Sequence, residues 1–251
     1  MIALFLFCQS TPTFFKGEKW WALGLGMAII GMLHIFTSRT GLLAFYLTAG
    51  FLIFFFLFYK RAYWVGLLAL VGVAVLPVIA VQTIPSLKTR WEVTVWDLRE
   101  RNNPDRDLAD LSATMRLATW QTTWEIFMAH PLLGVGKGDL PAEMRQQFEV
   151  NGWGARTDRP MLDPHNQYLS SAASLGIPGL FLVILGLLTF LMVKKASFLV
   201  HLLVWGLAVL MATGMLFESL LERQAGMIFW AIFALLFLKP PALIHGSTEK
   251  V

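Results

Sequence analysis

DPHNQYLSSAASLGIPGLFLVILGLLTFLMV, residues 163–193, begins as a polar turn and ends as an apolar run with no charged residue before Lys194. A helix needs roughly 20 mostly apolar residues to cross a bilayer. The stretch therefore reads as the mouth of a membrane helix followed by the helix itself. Working outward, similar apolar runs occupy 20–37, 41–59 and 62–84 before it, and 197–217 and 225–238 after it. The chain is 57% hydrophobic and 14% charged, where a soluble domain carries roughly 25% charged residues. The expectation is an all-α polytopic membrane protein with about six to seven transmembrane helices and one long helical periplasmic loop.

Four segments follow. Residues 1–84 hold N-terminal transmembrane helices, the first of them partial, because MIALFLFCQSTPTFF reads as the tail of a helix. Residues 85–164 form the long loop with an amphipathic helix, 165–240 hold the C-terminal transmembrane helices, and 241–251 are a cytoplasmic tail. The net charge is +4 with a pI near 9.3. A basic balance of this kind can signal nucleic acid, but its distribution points to a membrane. Lys16, Lys19, Lys60, Arg61, Lys194, Lys195, Lys239 and Lys250 fall on alternate loops of one parity, the bias of cytoplasmic loops. The single cysteine, Cys8, excludes a disulfide framework and a thiolate metal site.

The opposite face carries the unusual polar residues: SRTG at 38–41, the long loop, the DPHN mouth and ESLLERQ at 218–224. In a bacterium this face is periplasmic, where ATP and nucleotide sugars are absent. Within the loop, LSATMRLATWQTTWEIFMAHPLLGVGKGDL (111–140) has apolar residues at helical spacing up to His130-Pro131. Asp110 or Ser112 is placed to cap this helix, and Pro131 with Gly134, Gly136 and Gly138 ends it in a turn. The helix lies either on the membrane surface or against the helical bundle.

Several residues on this face could carry chemistry. Arg39 sits at a helix end, where it either snorkels to the interface or binds an anion beside Ser38, Thr40 and Gly41. The charge bias disfavours an arginine there, which supports the second role. Arg116 shares a helix face with Trp120 and Trp124, one and two turns on. It either covers an aromatic stripe or pairs an anion site with flat surfaces that stack on a sugar ring. Asp163 can cap a helix with Pro164 in its first position. That would put His165 in the first turn, where the helix dipole favours a neutral, proton-accepting imidazole. Asn166 and Gln167 add neutral hydrogen-bonding groups. Glu218, Glu222 and Arg223 are candidates by their interfacial position, or simply a surface ion pair. Asp105-Arg106-Asp107 could hold a divalent ion, but its turn-rich setting favours loop chemistry. No metal site and no cofactor is expected.

The order S-R-T-G at a helix end (38–41), R-x-x-x-W running into HPLLGVG (116–136), and HNQYL (165–169) followed by Gly176-x-x-Gly179 resembles the O-antigen ligase family. The resemblance covers about residues 20–240, the C-terminal half of such proteins. It implies a metal-independent, inverting membrane glycosyltransferase of the bacterial inner membrane with a periplasmic active face. Its donor would be a glycan on undecaprenyl diphosphate and its acceptor a hydroxyl, most simply that of lipid A-core. Arg39 and Arg116 match the arginines that hold the diphosphate, and His165 matches the histidine that activates or positions the acceptor. Trp120, Asn166, Tyr168 and Glu218 join them as substrate-binding candidates. An O-antigen polymerase or a protein O-oligosaccharyltransferase fits the same motifs. A non-catalytic transporter of lipid-linked glycans, or an inactive fragment, is the alternative from another class. The polar residues gathering at one face, rather than at helix midpoints, argue against transport.

Overall fold

The computed structural model describes residues 18–35, 39–61, 63–192 and 198–238. The expected partial helix over 1–15 and the tail over 241–251 lie outside these residues. Among the described residues the structure is helical, with nine α-helices and no strands. They are α1 (Glu18–Ile35), α2 (Arg39–Lys60), α3 (Tyr63–Thr83), α4 (Pro85–Arg99), α5 (Ser112–Ala129), α6 (Leu140–Val150), α7 (Gln167–Thr189), α8 (Phe198–Met215) and α9 (Gln224–Leu238). Thr40–Leu57 and Gln167–Met192 are each long and apolar enough to cross a membrane. Leu67–Thr83 and Pro85–Asn102 pass the same test as a pair bent by 95°. Gly24–Ile35, Val200–Met215 and Gln224–Leu235 are shorter apolar helices.

The apolar bundle centres on α2, which packs on α3 and α8. Helices in lipid gain no water-exclusion energy from pairing and rely on close van der Waals fit. Gly206 supplies that fit. A Cβ there would meet Leu52 Cδ2 at 2.9 Å. Tyr59 stacks on Phe198 at 3.9 Å, so α2 and α8 run antiparallel. The start of α2 at Arg39 and the end of α8 at Met215 thus share one end of the bundle. Lys60 and Arg61 lie at the other end.

At the Arg39 end sits a polar layer built from α4, α5, α6 and the first part of α7. The buried stripe of α5 comprises Thr114, Met115, Ala118, Thr119, Thr122, Thr123, Ile126 and Phe127. Thr119 and Thr123 donate along the helix to the Met115 and Thr119 carbonyls, while the Thr114 and Thr122 hydroxyls meet Asp97 and Asn151 outside it. Small side chains let α5 approach Ser170, Ser171, Ala172, Ala173 and Ser174 of α7, which are also buried. Of the two placements open for this helix, the structure has it against the bundle.

The first turn of α5 is capped from a distance. Neither Asp110 nor Ser112 caps it; Leu111 occupies the cap position. Asp97 of α4 instead accepts from the Ala113 N–H at 2.6 Å and from the Thr114 N–H and hydroxyl at 3.2 and 2.7 Å. Buried helix ends require such partners. Glu125 joins α5 to α6 by accepting from Gln147 and Asn151.

Candidate functional site

α7 is broken at Gly176, whose φ of 68° and ψ of −157° are not helical. Pro178 falls in the first turn of the resumed helix, where its missing N–H is not needed. The HPLLGVG turn fills the break. The Ile177 N–H donates to the Pro131 carbonyl at 2.8 Å, and the Val135 and Gly136 N–H groups donate to the Ala173 and Ser174 carbonyls at 2.9 Å. Gly134, at φ 67°, lies on the backbone of Ser174, and Gly176 on the backbone of Leu132. A Cβ on either would come within 2.6 Å of main-chain atoms. The two glycine motifs are thus one backbone-to-backbone clasp, which ties the end of α5 to the mouth of α7.

That clasp fixes the DPHN turn against the ESLLERQ turn. Glu218 is the point on which the charged groups converge. Its carboxylate lies 2.9 Å from Arg223 Nη2, 3.9 Å from Arg116 Nη2 and 3.4 Å from His165 Nδ1. The His165 side chain is 22% exposed and that of Arg116 32% exposed, so both remain accessible from outside. Asp163 accepts from the His165 N–H at 2.8 Å and from the Ser219 hydroxyl at 2.9 Å. Partial burial opposes ionisation of Asp163, but these donors outweigh it and hold the carboxyl below its ordinary value.

His165 itself takes a left-handed backbone, φ 46°. This corrects the expected capping. The N-cap of α7 is Asn166, whose side-chain oxygen accepts from the Leu169 N–H. Asp163 is occupied with His165 and Ser219, so the helix starts later and His165 precedes it. The imidazole is therefore oriented by Glu218 and by the Asp163 turn, not by a place in the first turn.

The other expected residues are placed as follows. Trp120 donates from Nε1 to the Pro164 carbonyl at 2.8 Å, linking α5 directly to the DPHN turn. The Tyr168 hydroxyl donates to the Ala212 carbonyl at 3.0 Å, joining α7 to α8. Arg39 opens α2 at the same end of the bundle; its side chain lies outside the described residues. Asp107 accepts from the Ala109 N–H and from Arg159, so it serves its loop. Among the described residues no group of three or more His, Cys, Asp or Glu side chains is placed to hold a metal.

Sequence reasoning missed a second ion-paired cluster. Lys137 Nζ lies 2.6 Å from Glu222 Oε2 and 2.9 Å from Ser170 Oγ, and Ser170 donates to Glu222 Oε1 at 2.5 Å. Lys137 sits in the long loop, where the short-loop charge bias that singled out Arg39 does not apply. Gln167 adds a further tie, accepting from the Leu221 N–H at 2.7 Å.

The family model described as O-antigen ligase matches residues 23–184. The chain belongs to the O-antigen ligase family. The match covers more than half of the chain and includes Arg39, Arg116 and His165. It stops before Glu218, which the structure brings to Arg116 and His165. No curated protein matches the chain. O-antigen ligase family membership makes this a membrane protein of the ligase and polymerase type of glycosyltransferase, with a lipid-linked glycan and a glycan acceptor as the kind of substrates it implies.

Proposed function

We propose that the protein transfers a glycan from undecaprenyl diphosphate to an acceptor hydroxyl, as an O-antigen ligase acting on lipid A-core at the periplasmic face of the inner membrane. The six to seven spans and the four segments read from the sequence belong to this proposal. The observation that carries it is the convergence of Arg116, Arg223 and His165 on Glu218, at the end of the bundle where α2 begins with Arg39.

The acceptor oxygen attacks the anomeric carbon while the carbon–oxygen bond to the diphosphate breaks. The bond electrons leave with the diphosphate, and the configuration inverts. With Nδ1 donating to Glu218, His165 presents Nε2 to take the acceptor proton. A carboxylate holding one imidazole tautomer is a recurring device for this task. Arg39 and Arg116 are assigned to the charge that builds on the leaving diphosphate, where fixed cations lower the barrier. Trp120 holds the Pro164 carbonyl and offers its face to sugar. Asn166 and Tyr168 bind at the same mouth. No metal step is invoked.

The test is a glycolipid gel from a strain lacking this gene, with the undecaprenyl-linked pool extracted in parallel. Wild type, Arg39→Ala, Arg116→Ala and His165→Ala are supplied in trans. Bare lipid A-core with long glycan stranded on undecaprenyl diphosphate supports the ligase. Core carrying single repeats would make the protein a polymerase. Full complementation by all three variants would overturn the catalytic assignment.

A further inference from the structure

The polar layer leaves two apolar surfaces uncovered, one at each end of α5. The first is on α4. This helix leaves α3 at 95°, so when α3 stands across a bilayer α4 runs along its surface. Its Lys88, Arg90, Glu92, Asp97 and Arg99 exclude it from the hydrocarbon interior. Leu87 and Asp97 are its buried residues. Trp91, Val95 and Leu98 follow at i, i+4 and i+7 and continue the line of Leu87 along the helix. Trp91 is 60% exposed and Leu98 46%. Lys88 and Arg99 border that stripe along one side. An apolar stripe with an aromatic residue and bordering cations is the pattern of a helix lying in a membrane interface.

The second surface is the turn after α5. Leu132 and Leu133 are 72% and 79% exposed. They are not on a free loop. The clasp fixes them to Gly176 and Ile177, at the start of the apolar part of the Gln167–Met192 span. Leu175 and Ile177 beside them, and Phe181 and Leu182 one turn further, are also exposed. The leucine pair thus continues the uncovered apolar surface of a membrane helix.

We propose that the polar layer is seated in the bilayer leaflet at the Arg39 end on two feet, the Trp91–Leu98 stripe and the Leu132–Leu133 turn. The occupant of both surfaces is lipid. Continuity of the second foot with α7 sets its depth, and the Asp97 cap ties the first foot to the start of α5. α5 then spans the gap between feet, about 27 Å for its 18 residues. Arg116 and Trp120 are held near the level of the headgroups. A lipid-linked phosphate can reach Arg116 there without its tail leaving the membrane. The seating stands on exposure and geometry alone, and holds whatever the substrate is.

The test uses the full chain with Cys8→Ser, reconstituted in phosphatidylethanolamine–phosphatidylglycerol vesicles. Single cysteines at Leu98, Leu132 or Leu133 carry a nitroxide spin label. Labels at Phe181 and at Asp158, whose side chain is 90% exposed, serve as lipid and aqueous references. Collision with oxygen and with a water-soluble nickel chelate is compared. All the labelled positions are exposed, so folding is preserved. The expected result is an oxygen-to-nickel ratio nearer that of Phe181 at all three positions. A ratio nearer that of Asp158 at Leu132 and Leu133, or at Leu98, would overturn the two-footed seating.

Discussion

His165 Nδ1 faces Glu218 Oε2 at 3.4 Å, and the same oxygen is 2.9 Å from Arg223 Nη2. One carboxylate therefore orients the candidate base and holds a cation beside it. Glu218→Gln keeps the shape and removes the charge. The expected result is a drop in kcat of about 10²-fold, with a smaller change in KM, since general-base catalysis contributes roughly that much. Transfer by the purified chain in vesicles, measured against pH, checks this. A lowered plateau with an unchanged profile shape would place Glu218 in structure only.

Arg116→Ala should cost about 10²–10³-fold in kcat, the loss seen when one donor to developing negative charge is removed. Arg116→Lys should recover only part of it, because a point charge replaces a planar fork. Trp120→Phe should give a smaller loss, carried by release of the Pro164 carbonyl that Trp120 holds at 2.8 Å. Initial rates for the three variants at saturating donor separate these effects.

The clasp makes a strong prediction about stability. Gly134→Ala and Gly176→Ala each place a Cβ within 2.6 Å of main-chain atoms at a left-handed φ. Strain at such a φ alone costs about 1–3 kcal/mol, and the overlap adds to it. Gly138 has nothing within 4 Å of its Cβ position, so Gly138→Ala should leave the melting temperature nearly unchanged. Thermal unfolding of the three variants in one detergent checks the contrast.

Much of this arrangement was legible because its causes are local. Apolar length marks the spans, and Gly176 with Pro178 marks the break in α7. The Pro131–Gly136 run marks the end of α5. What escaped reading depends on contacts distant in sequence. The sequence offers Asp163 as the cap of α7, but Asp163 is taken by the His165 N–H and by the distant Ser219 hydroxyl, and Asn166 caps the helix with His165 ahead of it. Leu111 takes the cap position of α5 because Asp97, on another helix, supplies the acceptor. The two glycine motifs show that each needs open backbone, not that each needs it against the other. Lys137 is a single cation in a glycine-rich turn, and its meaning appears only when Glu222 and Ser170 meet it.

Asp97→Ala should unfasten the start of α5. Loss of a capping side chain costs about 0.5–2 kcal/mol. Here the Ala113 and Thr114 N–H groups lose their acceptor together, and the Thr114 hydroxyl is left with the Asp97 main-chain carbonyl at 3.2 Å. Hydrogen exchange over residues 112–116 should accelerate, while exchange in α8 stays as in wild type. Uniform acceleration throughout would instead mean global destabilisation.

The Asp163 turn sets an acid limit. Its carboxyl is held below the ordinary value of about 3.9 by the His165 N–H and the Ser219 hydroxyl, against the opposing effect of burial. A depressed folded-state pKa contributes stability that is fully present above the unfolded value and lost as the pH falls through the folded one. The contribution from Asp163 should therefore be intact at pH 5 and above and decline only below about pH 4. Asp163→Asn cannot ionise, so melting temperatures compared between wild type and this variant should differ at pH 5 to 7, and the gap should narrow as the buffer falls from pH 4 toward pH 3. A gap that stays constant down to that pH would show that the charge of Asp163 does not stabilise the turn.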